Sequence, residues 1–103
     1  METKKVFVLA DAVAYAEDGI VSKEFLKSSN GGITLFAFDK GQRLSEHSVP
    51  FDAVVQILDG EAEVLIDGEP FHPKAGETII LPANHPHALN ALQPFKMMLT
   101  MIR

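Results

Sequence analysis

The sequence predicts an all-β barrel or sandwich, and three observations carry that expectation. Apolar runs of strand length recur down the chain: IVSKEFLK, ITLFAF, AVVQIL, AEVLI, ETIIL, HALNAL and FKMMLTMI. Turn-forming residues divide them, at Ser28 to Gly32, Asp39-Lys40-Gly41, Asp59-Gly60, Asp67-Gly68, Ala75-Gly76, Pro82 to Pro86 and Pro94. The rhythm of roughly eight short strands, with a turn signal about every 8–12 residues, leaves little room for helix.

The start of the chain departs from this rhythm. KKVFVLADAVAYAEDG predicts a short strand over residues 5–9 and a helical turn or two over residues 11–16, stopped at Gly19. Residues 1–31 are therefore expected as an N-terminal extension, able to add a strand to a partner barrel, and 32–103 as the barrel itself. In ITLFAF, Ile33, Leu35 and Ala37 share one face, and Thr34, Phe36 and Phe38 the other, so both faces are apolar. A strand covered on both sides lies under a further covering surface or at a subunit interface, which makes a homodimer the expected assembly. Gln56 falls opposite Val55 and Ile57, between layers or subunits, where its amide needs partners. Asp59-Gly60 and Asp67-Gly68 read as turn formers rather than as acid pairs.

Composition narrows the function classes. With 103 residues, 47% hydrophobic and 22% charged, the chain suits one globular domain with a real core. A net charge of −5 and the lack of any Lys/Arg cluster argue against nucleic acid as a partner. There is no cysteine, hence no disulfide, thiolate nucleophile or Cys-ligated zinc. No apolar run approaches a membrane span, and VFVLA, broken by Asp11, is too short for a secretory core. The expected location is the cytoplasm, with no membrane partner.

Histidines carry the candidate chemistry. His72, in the polar stretch FHPKAG, reads as solvent-exposed. His47 ends the polar GQRLSE segment, while His85 and His87 sit in PANHPH. Five residues separate Gly41 from His47 and Gly76 from Pro82, and Gly60 closes the first of these segments. This spacing, with ILDGEAEVLIDGE and KAGETIILPANHPHAL, resembles the two motifs of the small single-domain cupins over residues 32–103. The resemblance implies a double-stranded β-helix, or jelly-roll, barrel. It also implies metal-ligand positions at His47, Val49, Ala53 and His87, of which only the two histidines are metal-ligating types. Asn84 replaces the second motif's glycine, and Ala91 stands where its asparagine belongs.

Two imidazoles hold a divalent metal weakly, since stable catalytic sites usually offer three protein ligands. His85 is the expected third donor beside His47 and His87. Without a metal, the pair would bind an organic ligand or each other through water, or serve as acid and base near neutral pH. Val49 and Ala53 are expected to widen the pocket and make it apolar, with Met98 lining it where that residue points inward. The other C-terminal methionines read as adaptable core filling rather than soft-metal ligands. The functional expectation is a binding module for a small organic molecule. The alternative is a metal-dependent enzyme of isomerase, decarboxylase or dioxygenase type, acting on a small sugar or keto-acid-like substrate. A less favoured reading is a stand-alone equivalent of the sugar-sensing barrel of bacterial transcription regulators.

Overall fold

The computed structural model describes residues 2–103. Its strands are β1 (Ile20–Ser28), β2 (Gly31–Phe38), β3 (Arg43–His47), β4 (Ala53–Gly60), β5 (Glu63–Ile66), β6 (Glu69–Phe71), β7 (Thr78–Leu81), β8 (His87–Asn90) and β9 (Phe95–Ile102). A short 3-10 turn at Leu9–Asp11 is the other regular element among the described residues. The all-β expectation holds.

Strand pairing is nested. β5 pairs antiparallel with β6, β4 with β7, β3 with β8 and β2 with β9. The chain is thus one long hairpin, rolled so that alternate pairs fall in opposite sheets: β1-β2-β9-β4-β7 in one and β3-β8-β5-β6 in the other. This is the jelly-roll solution for antiparallel strands. The innermost hairpin turns at Asp67-Gly68, whose φ values of 53° and 79° suit a two-residue turn of the primed type.

Alternation supplies the core between the sheets. Phe38, Val55, Ile57, Val64, Leu81, Leu89, Phe95 and Met97 are buried there in one cluster. Phe38 and Phe95, register partners on β2 and β9, stack with centroids 4.5 Å apart and planes 13° from parallel. Replacing either by alanine removes contacts worth about 3–5 kcal/mol.

A second cluster lies outside the five-stranded sheet. Leu35 and Ala37 are buried there beneath Val13, with Leu9, Ala12, Val21, Phe25, Leu58 and Met98 packed around. The second apolar face of ITLFAF is therefore covered largely by the chain's own N-terminal segment. Polar contacts fasten this strap: Lys96 Nζ donates to Ala10 O at 2.6 Å and Lys23 Nζ to Ala12 O at 2.8 Å. Tyr15 donates its hydroxyl proton to Asp59.

Four expectations are corrected here. Residues 5–9 form no strand; Phe7 instead packs edge-on against Phe25. The helical turn is the 3-10 turn Leu9–Asp11 and does not reach Ala16. β1 belongs to its own barrel, pairing with β2 along its length, so the 31/32 boundary falls in a hairpin. Asp59-Gly60 ends β4 rather than turning the chain, with a bulge between Ile57 and Asp59.

Candidate functional site

Nested pairing brings His47 and His87 face to face. They close the β3–β8 ladder as register partners, and an irregularity separates this pair from Leu44↔Leu89. β3 spends one residue more than β8 over that interval. Without this bulge Glu46 would oppose His87; with it, an imidazole does. The ring centroids lie 4.4 Å apart at an interplanar angle of 68°.

The two histidines differ in environment. His47 is exposed at the rim, and its Nδ1 lies 2.9 Å from Ser45 O. A carbonyl only accepts, so the proton belongs on Nδ1, which leaves Nε2 as a lone-pair acceptor. His87 is only 5% exposed, and its buried Nδ1 has no hydrogen-bond partner. Burial, followed by the positive charge that His47 can carry, holds its pKa below the ordinary imidazole value; the His85 backbone pulls the other way. His87 is neutral at physiological pH.

Behind the pair lies a cavity of about 50 Å³, lined by Leu44, His47, Val49, Ala53, Leu81, His87, Leu89, Leu99 and Met101. Val49 and Ala53 are where the motif spacing puts them. The cavity is nonetheless narrow, because leucine side chains from β3, β7, β8 and β9 fill the space. It admits one or two waters, or the head of a ligand whose body rests in the mouth.

Met98 does not line it. Along β9 the alternation places Leu99 and Met101 on the cavity side, while Met98 packs in the outer cluster. The buried Phe95 fixes that phase and is the sequence signal for Met101. His85 also lies elsewhere: its Nδ1 is 2.7 Å from Asp67 Oδ2 in an exposed pair. Asn84, with φ of 66°, and Pro86 break the alternation that would otherwise put His85 and His87 on one face. Asn84 replaces a glycine of the motif but keeps the left-handed backbone, which asparagine tolerates. The loop it sits in is tied to the opposite rim by Asn84 N to Val49 O at 2.7 Å and Ala83 N to Asp52 Oδ1 at 2.9 Å. His72 stands apart on Glu63, 3.1 Å away.

The motif spacing and this pairing have a counterpart among known proteins: a family model described as a cupin domain matches residues 34–102. The chain belongs to the cupin family. A cupin 2 conserved barrel domain protein from Leptotrichia buccalis is 45% identical, with a TM-score of 0.91 over 94% of this chain and 47% of that one. A conserved protein of unknown function from Streptococcus pyogenes is 41% identical, with a TM-score of 0.95 over 100% of this chain and 90% of that one. A cupin superfamily protein from Desulfitobacterium hafniense is 25% identical, with a TM-score of 0.93 over 99% and 94%. No curated protein matches the chain.

Cupins often hold a metal at this position, but the side chains of this cupin do not fit a firmly held one. Among the described residues, no three His, Cys, Asp or Glu converge. Val49 and Ala53 have no donor atom to add to the two imidazoles, one short of the three that hold a catalytic zinc. A larger concavity of about 440 Å³ lies between the N-terminal segment and β1, lined by Phe7, Val8, Ala12 and Lys23 among others. Its charged lining residues, Glu2, Lys5, Asp11 and Lys23, are all exposed.

Proposed function

We propose that this cupin is a cytoplasmic binding module that holds a small organic molecule at the barrel mouth through His47 and His87. The pairing of a rim imidazole with a buried one whose Nδ1 has no partner, above an apolar cavity, carries this reading. The Nε2 lone pair of His47 and the neutral His87 favour a ligand head that donates hydrogen bonds, a hydroxyl or a protonated amine. The cavity volume limits that head to a few atoms. A divalent ion at the pair is weakly held, with water completing its shell.

The lowered pKa of His87 favours a second reading, in which the neutral imidazole takes a proton from a bound sugar or keto-acid-like substrate. Both readings use the same pair and differ in turnover.

A thermal-shift screen of small polyols, hydroxy acids and amines, with and without divalent metals, tests the proposal. A ligand at a hundred times its Kd stabilises by about 2.7 kcal/mol, a rise of roughly 10 °C or more in a domain of this size. The rise is expected to disappear in His47→Ala and His87→Ala. A shift that survives both substitutions, or metal that copurifies stoichiometrically, overturns it.

A further inference from the structure

Arg103 brings a positive charge to the end of the barrel where the two histidines sit. β9 ends at Ile102, and Arg103 follows it. Leu99 and Met101 line the cavity, and Arg103 is next in that phase, about 7 Å beyond Met101 along the strand. The chain leading into β4 mirrors it. Ala53, register partner of Met101, also lines the cavity, and Phe51 lies two residues before it. The Arg103 guanidinium sits over the Phe51 ring, 5.4 Å from its centroid. Both stand at the same end of the barrel as His47, the last residue of β3, and His87, the first of β8.

Its surroundings hold Arg103 in place and leave its charge open. Arg103 N donates to Asn30 O at 2.8 Å and Ile102 N to Asp52 O at 3.2 Å, so the backbone is tied to a neighbouring segment on either side. Stacking on Phe51 orients the guanidinium plane and leaves its N–H edges available. Two carboxylates share this end, and both already have partners: Asp52 accepts from Ala83 N at 2.9 Å, and Asp67 lies 2.7 Å from His85. Among the described residues, Arg103 forms no ion pair.

We propose that Arg103 selects what the His47–His87 site binds, taking the carboxylate of a small hydroxy acid whose hydroxyl end enters the cavity. The inference rests on the reading of that pair as a binding site and adds the charge of its ligand. A cavity of about 50 Å³ admits the hydroxyl end alone, so the rest of the molecule stays at the mouth, where the guanidinium is. The two ends call for different chemistry. Imidazole lone pairs accept from a donor, whereas a guanidinium fork receives a planar anion through two parallel hydrogen bonds. With Asp52 and Asp67 at the same end, one guanidinium suits a monoanion. A phosphate dianion would meet more negative than positive charge there.

Titration of the full chain by nuclear magnetic resonance with γ-hydroxybutyrate, its diol counterpart butanediol, and butyrate separates the two ends. γ-Hydroxybutyrate is expected to bind about tenfold more tightly than butanediol, as one charge-assisted contact provides, and to shift the imidazole resonances of His47 and His87. Arg103→Gln should bring the acid's affinity down to that of the diol, and Phe51→Leu should narrow the gap. His47→Ala should weaken the acid and the diol alike. Equal binding of acid and diol by the wild type, or a preference that survives Arg103→Gln, overturns the role of Arg103 and leaves the histidine site standing. Butyrate binding as tightly as γ-hydroxybutyrate, with no effect of His47→Ala, instead overturns the histidine site and this inference with it. So does a lack of binding by all three.

Discussion

His87 is a base kept uncharged by its surroundings, and this makes stability depend on pH. In the unfolded chain its imidazole titrates near 6.5; in the fold burial and His47 lower that value. As pH falls below about 6.5, the unfolded state binds the proton first and stability declines until the folded pKa is passed. Above 6.5 both states are neutral and the contribution is complete. Urea midpoints are therefore expected to drop as pH falls below about 6.5, and His87→Gln should flatten that portion of the profile. An identical profile in the variant would mean that other groups carry the dependence. His47, Val49, Ala53 and His87 were legible in the sequence because motif spacing is one-dimensional information. His85 and Met98 were not placed correctly. The first depends on the left-handed backbone at Asn84, and the second on the phase of an eight-residue strand whose two faces are both apolar.

Among the elements, β4 ends in a backbone that only glycine fits comfortably. Gly60 has φ of 72°, and a Cβ there would collide with the carbonyl oxygen of Pro94, the residue just before β9. Gly60 stays in register with Phe95 at the end of the β4–β9 ladder, beyond the bulge between Ile57 and Asp59. Gly60→Ala is expected to cost about 2–3 kcal/mol, measured by denaturant unfolding. A change below 0.5 kcal/mol would show that the strand end relaxes freely. β1, β2, β4, β5, β7, β8 and β9 were readable from their apolar runs and the turn residues between them. β3 was not: Arg43, Ser45 and Glu46 are exposed and give it the composition of a turn, while Leu44 alone marks the buried side. VFVLA had strand composition without an available partner, and β-propensity is expressed only against neighbours.

For the whole molecule, the visible signal was the count and spacing of strands, which sufficed for an all-β fold. The order of strands within the sheets came only through the family resemblance, since pairing between distant strands leaves no local trace. The role of the first residues was invisible for the same reason. Leu9 and Val13 are ordinary apolar residues until the outer face of β2 is there to receive them. The strap's polar fastening is a modest contributor: Tyr15→Phe removes one hydrogen bond to Asp59 and should cost about 0.5–1.5 kcal/mol in the same unfolding assay.

The nested pairing also sets a timetable for synthesis. β9, the last strand to leave the ribosome, is not an edge strand; it sits between β2 and β4 near the middle of its sheet. Until Phe95–Ile102 emerges, the strands on either side expose unpaired backbone and the largest buried side chains have no counterpart. The five-stranded sheet therefore cannot be completed in chain order from β1 onward; it closes only once β9 is in place between β2 and β4.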